Sequence, residues 1–169
     1  KATSLTRPSD DAFCVDNQDL PIAIEVADTT ACPRYAGVTV KGVTVKESPA
    51  WLQDKLRLIG LRPINNVVDV TNYILHAYGQ PLHCFDADKI KGGKVIVKTM
   101  PQDTPFVTLD GVERKLDAHD LMICNAEEPM CMAGVFGGLD SGSTETTKNV
   151  FLESAYFNPT VVRKTARRH

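Results

Sequence analysis

The stretch NVVDVTNYILHAYGQPLHCFD, residues 66–86, decides how the rest of the chain reads. Val70, Tyr73, Ile74, Ala77 and Tyr78 recur at the spacing of an amphipathic helix. The pattern predicts a buried helix with Thr71 at the edge of its apolar stripe and Asn72 opposite. Gly79 is placed to close that helix in a left-handed cap, and Gln80-Pro81 blocks its continuation. His83, Cys84 and Asp86 follow at once. A rigid element therefore delivers polar residues, a sharp turn and then a histidine.

Two helix signals flank this one. Upstream, Ser48-Pro49 reads as an N-cap and first position, Trp51, Leu52, Leu56 and Ile59 as an apolar face, and Gly60 as the stop. At the far end, Asn158-Pro159 opens a closing helix. Between and around them the character is β. PIAIEVAD (21–28) and RYAGVTVKGVTV (34–45) read as strands, the second broken at Gly42. KVIVKTM (94–100) reads as a short buried strand, and FVTLDGVERKL (106–116) as a hairpin turning at Asp110-Gly111. DLMIC (120–124), MCMAGVFGG (130–138) and NVFLESAYF (149–157) read as three more strands. This order implies an α+β fold with a sandwich-like core of mixed strands and flanking helices. It does not fit a doubly wound parallel sheet.

With 169 residues, 43% hydrophobic and 24% charged, the composition is that of a globular domain. The net charge of −2 argues against nucleic-acid binding by bulk electrostatics alone. No apolar run reaches membrane-spanning length, and no signal peptide is expected. Five cysteines without a CxxC pair favour free thiols in a reducing compartment over a disulfide framework or a zinc site. Residues 1–20 read as a linker or the tail of a neighbouring unit. The chain starts at Lys1 and stops at TARRH inside a helical pattern, so it reads as a piece of a longer protein.

Four features carry chemistry. Glu153 lies in an otherwise apolar strand, where a carboxylate must either point outward from a one-sided sheet or be paired for a purpose. GVFGGLDSG (134–142) leaves backbone open to a ligand, or is only a glycine-rich turn; its spacing matches neither a dinucleotide fingerprint nor a phosphate loop. His83 is a site histidine or a hydrogen-bonded structural one, and His76, His119 and His169 show no metal-ligand spacing. Cys84 beside it is discounted as a nucleophile, because adjacent side chains point apart. Arg163, Lys164, Arg167 and Arg168 form a basic cluster, either a solvated helix face or a contact to RNA phosphates or a neighbouring domain.

The strings INNVVDVTNYIL, GQPLHCFD, AGVFGGLDSG, NVFLESAYF and TARRH together resemble the B3/B4 region of bacterial phenylalanyl-tRNA synthetase beta subunits. The resemblance covers residues 33–169 in order, which makes 1–32 a join to a preceding domain and leaves the B3/B4 domain truncated at its C-terminal end. It implies an editing site that hydrolyses tyrosine wrongly esterified to tRNA(Phe). The family's pocket motifs fall on Thr71, Asn72, His83, Gly134, Gly137, Gly138 and Glu153. Glu153 resembles the glutamate that reads the tyrosine hydroxyl, and His83 the histidine that borders the ligand and could orient the attacking water. Further wall residues are expected beyond His169, leaving the pocket open on one side. Backbone amides near Gly134–Gly138, ordered water and the tRNA's terminal hydroxyl are expected to share the catalysis, without a metal. The family's whole enzyme is a cytoplasmic heterotetramer of two alpha and two beta subunits using ATP and Mg2+, neither expected in this fragment. Two other readings remain: a non-catalytic tRNA-binding or scaffold module, and a stand-alone relative acting on a different aminoacyl-tRNA.

Overall fold

In a computed structural model, residue 4 and residues 9–169 are described; the expected irregular start over residues 1–3 and 5–8 lies outside them. Ten strands, three α-helices and two short 3-10 turns are formed among the described residues. The strands are β1 (Ala23–Val26), β2 (Arg34–Val40), β3 (Leu82–Asp86), β4 (Lys94–Thr99), β5 (Pro105–Val107), β6 (Glu113–Lys115), β7 (Leu121–Cys124), β8 (Pro129–Met132), β9 (Phe136–Gly137) and β10 (Val150–Tyr156). The helices are α1 (Ala50–Leu58), α2 (Asn66–Tyr78) and α3 (Pro159–Arg168).

The α+β expectation holds. A five-stranded sheet in the order β1-β4-β7-β8-β9 faces a three-stranded sheet in the order β2-β10-β3, with β5-β6 as a separate hairpin. Phe85 and Phe151 of the small sheet share one core with Val95, Val97 and Ile123 of the large one. Phe106, Leu116, Met122 and Met132 form a second core on the other side of the large sheet. β7 is therefore buried on both faces, which is why LMIC reads as an unbroken apolar run. β1, within the expected N-terminal join, runs parallel to β4, with Ala23 opposite Lys94 and Val26 opposite Val97.

Several local signals act as the sequence predicts. Gly79 ends α2 with a positive φ of 73°. At the other end Asn65, which the sequence reading did not single out, caps α2 by accepting from the Val67 and Val68 amides. Asn158 caps α3 with Pro159 in its first turn. Asp110-Gly111 turns the β5–β6 hairpin.

Four details differ. Ser48 does not cap α1; its hydroxyl donates to Asp69 Oδ2 at 2.5 Å, and Pro49 takes the cap position. Of the expected α1 face, Leu52 and Leu56 are buried, whereas Trp51 and Ile59 are exposed; Trp51 meets Tyr73 edge-to-face at 5.6 Å. Nor is α2 a buried helix. Val70, Ala77 and Tyr78 are exposed, and Asp69 alone is fully buried, its Oδ1 accepting from the Ile64 amide. The helix is anchored through that aspartate and its first half, a polar attachment that apolar periodicity does not register. Finally, MCMAGVFGG is two strands and not one: Gly134, at φ 68°, turns β8 back into β9.

Candidate functional site

A cavity of about 500 Å³ opens where β3, the β8–β9 turn, β10 and the start of α3 converge. β10 is the central strand of its sheet, so Glu153 has a neighbour on each side: Gly37 of β2 and His83 of β3. Cross-strand partners put their side chains on the same face. Glu153 and His83 both line the cavity, with Pro81, Phe136, Gly137 and Val162 among the other walls. The outward-facing alternative for Glu153 is thereby corrected: the residue is 5% exposed, because its face of β10 looks into the sandwich.

Each polar group at this end has a distinct state. Glu153 Oε2 accepts a 2.6 Å hydrogen bond from the Tyr35 hydroxyl. Burial pushes the Glu153 carboxyl up to about 7, and the Tyr35 bond only partly offsets this. Burial pulls His83 down to about 4, so its ring is neutral at pH 7. His83 Nε2 is buried without a hydrogen-bond partner, while the ring stacks edge-on against Phe85 at 4.4 Å. An orphaned buried nitrogen bordering a cavity is a site for a ligand or water. Cys84 is no nucleophile here: burial pushes its thiol up to about 11.

The glycines set the cavity's shape. A Cβ on Gly137 would stand 2.7 Å from Leu109 Cδ1 and 3.3 Å from His83 Cε1. A Cβ on Gly134 would lie 3.1 Å from Val162 of α3. In the same turn the Val135 amide donates to Met132 and the Gly138 amide to Met130. The Gly134 N–H makes no backbone bond among the described residues, so of these three amides it alone is free to meet a ligand.

Not every expected site residue gathers here. His83, Gly134, Gly137 and Glu153 line the cavity; Thr71, Asn72 and Gly138 do not. Thr71 donates to the Val68 carbonyl at 2.7 Å, within its own helix. Gly138, just past β9, bridges to Thr108 and lines a second recess of about 580 Å³. The basic cluster also divides. All four are exposed, but the Arg168 guanidinium also reaches the buried Asp120 at 2.5 Å, and His169 Nε2 meets the same carboxylate at 2.6 Å. Sequence reasoning missed Tyr35, Pro81, Phe136 and Val162. Of these, the proline after Gln80 and the glycine-flanked Phe136 carried a local signal; Tyr35 carried none.

Among the described residues, no group of three His, Cys, Asp or Glu side chains could hold a metal ion. No helix among them is long and apolar enough to cross a membrane.

The comparisons with known proteins agree with this architecture. The B3/4 domain family matches residues 31–169. The phenylalanine–tRNA ligase beta subunit of Bacteroides fragilis is 78% identical over the whole chain, which covers 21% of that protein. The Porphyromonas gingivalis beta subunit is 64% identical over 89% of the chain and 18% of its own length. The chain thus spans about a fifth of the length of these relatives. An N-terminal fragment of the phenylalanyl-tRNA synthetase beta subunit from Pyrococcus horikoshii superposes with a TM-score of 0.61 at 17% identity, over 83% of this chain and 45% of that one, a likeness of fold. With the family matched from Ala31 to the last residue, the chain belongs to the B3/4 domain family, in the form that phenylalanine–tRNA ligase beta subunits carry.

Proposed function

We propose that this domain edits for a phenylalanine–tRNA ligase by hydrolysing tyrosine wrongly esterified to tRNA(Phe). The observation that carries the reading is Glu153: a buried carboxyl lining a cavity of about 500 Å³, with one oxygen held by Tyr35 and none of the described residues bonded to the other. A cavity of that size suits an aromatic amino acid with part of its ester. The tyrosine phenol would donate a hydrogen bond to the second oxygen. Phenylalanine would leave that oxygen unpaired, at a cost of about 1–3 kcal/mol. A synthetic pocket built for phenylalanine rejects the added hydroxyl poorly, by about a hundredfold in comparable cases, whereas a pocket built around the hydroxyl selects for it.

His83 and Gly134 are the groups left for the ester. A histidine at about 4 is a poor general base at pH 7, so His83 serves by hydrogen-bonding and orienting a water or the ester through Nε2. The Gly134 amide, which makes no backbone bond among the described residues, would donate to the developing oxyanion. The tRNA's terminal hydroxyl and ordered water would complete the step. The whole ligase would supply ATP and Mg2+ for charging, and its alpha subunit and tRNA(Phe) would be the partners of this chain's parent.

The test is deacylation of preformed tyrosyl- and phenylalanyl-tRNA(Phe) by the intact enzyme. Selective loss of tyrosine is expected. In Glu153→Ala the tyrosine-over-phenylalanine preference should fall by about tenfold to a hundredfold, more than the hydrolysis of phenylalanyl-tRNA changes. Equal slowing of both esters would remove recognition from Glu153. No hydrolysis by the wild type would leave a tRNA-binding module without chemistry.

A further inference from the structure

We infer that Tyr35 is a positioning residue for tyrosine recognition: held behind Glu153, it fixes which carboxyl oxygen faces the cavity and keeps that oxygen an acceptor. The inference rests on the proposed editing function and deepens it.

Tyr35 sits on β2, two residues from Gly37, the cross-strand partner of Glu153. Its hydroxyl reaches Glu153 Oε2 at 2.6 Å, yet Tyr35 is not among the residues lining the cavity. Burial first, and then the charge and hydrogen bond of Glu153, push the Tyr35 phenol far above its ordinary value. It therefore keeps its proton throughout the working pH range and can only donate to the carboxylate. Oε2 is committed to Tyr35, and Oε1 is the oxygen left for a ligand. A carboxylate with one oxygen pinned cannot rotate to present the other in a second orientation. It offers a lone pair at a fixed point, which a substrate phenol can fill and a phenyl ring cannot.

The bond also bears on ionisation. The Tyr35 donor is the one influence that favours the charged form of Glu153; burial opposes it. The other titratable groups around this end are His83 of β3, Cys131 of β8, Cys32 just before β2 and the exposed Tyr156 that ends β10. The two thiols are pushed up by burial and by Glu153, and His83 is held neutral, so none of them supplies a countercharge. Without Tyr35 the carboxyl would hold its proton to higher pH and turn from an acceptor into a donor.

Tyr35→Phe tests this, since it removes one oxygen and leaves the ring that leans on Phe157 at 6.5 Å. In the intact enzyme, kcat/KM for tyrosyl-tRNA(Phe) should fall by about tenfold, chiefly through KM. The phenylalanyl rate should be unchanged, and the acidic limb of the tyrosyl pH profile should move to higher pH. In a Glu153→Gln background the same substitution should have little further effect on selectivity, because the two residues act as one unit. A melting curve for each variant separates loss of fold from loss of recognition. An active wild type whose Tyr35→Phe variant keeps its selectivity and pH profile would overturn the positioning role alone. A Tyr35→Phe effect that persists in full beside Glu153→Gln would overturn it too. A wild type that deacylates neither ester would overturn the editing function and this inference together.

Discussion

Glu153 and His83 pair across the β10–β3 register and carry ionisation shifts of opposite sign. Glu153 has its folded value raised from 4.5 to about 7, so the stability it contributes is complete below 4.5 and is lost as pH rises to about 7. His83 has its folded value lowered from 6.5 to about 4, so its contribution is complete above 6.5 and is lost as pH falls to about 4. Each spans about 3 kcal/mol. Over the shared window the two slopes cancel: the unfolded chain protonates the histidine and the folded one the glutamate. Glu153→Gln should therefore expose a stability that climbs with pH between about 4 and 6.5, and His83→Asn one that declines between about 4.5 and 7. Urea midpoints across that range read both. Flat profiles in both variants would mean that neither group is shifted. Glu153 could be singled out in the sequence because a carboxylate within FLESAYF violates the strand's own pattern. Tyr35, 118 residues away, violates nothing in RYAGVTV and gains meaning only when β2 is laid beside β10.

At the scale of elements, α3 forms a wall of the cavity and is fixed from its other end. Asp120, fully buried before β7, accepts from Thr165, Arg168 and His169 of this terminal segment and from the Asp117 amide. Burial opposes its charge, but Arg168, His169, the Asp117 amide and Thr165 together outweigh burial and hold the carboxyl at about 2. The stability this gives is present above the ordinary 3.8 and is lost as pH falls to about 2. Arg114 adds a second tie, donating to the His169 carbonyl at 2.6 Å while its guanidinium lies 5.4 Å from the Phe136 ring centroid. Asp120→Asn should lower stability by about 2–4 kcal/mol, and the acid-induced loss between about 4 and 2 should shrink with it. Deacylation of both esters should drop together as Val162 and Pro159 loosen, leaving selectivity intact. A variant that altered selectivity alone would contradict this division of labour. The caps of α2 and α3 were legible because they are local: Asn158-Pro159 and Gly79 act on their own backbone. The Asp120 network was not, since TARRH shows four basic or polar side chains and gives no sign of which one finds a buried acid.

Over the whole molecule, strand existence followed from alternation, but which sheet each strand joins did not. The parallel pairing of β1 with β4, and the placing of β10 between β2 and β3, rest on contacts far apart in sequence. The same holds for charge. A net −2 masks a local concentration: Arg163, Lys164 and Arg167 line a shallow groove with Pro159 and Thr160, and Pro159 also borders the cavity. α3 therefore joins an exposed basic strip to the proposed reaction chamber, an arrangement that would let the phosphates of a tRNA end lie outside while its ester enters. Three phosphate contacts correspond to a slope of about two in the logarithm of affinity against the logarithm of salt concentration. Replacing Arg163, Lys164 and Arg167 together by Gln should reduce the measured slope for tRNA(Phe) by that amount. KM should rise for tyrosyl- and phenylalanyl-tRNA alike, with the ratio of their kcat/KM values unchanged, because phosphate contacts position the nucleic acid without reading the amino acid. Anisotropy titrations of the intact enzyme between 50 and 200 mM salt give the slope. An unchanged slope would assign the strip to a solvated helix face and leave tRNA docking to surfaces elsewhere in the parent protein.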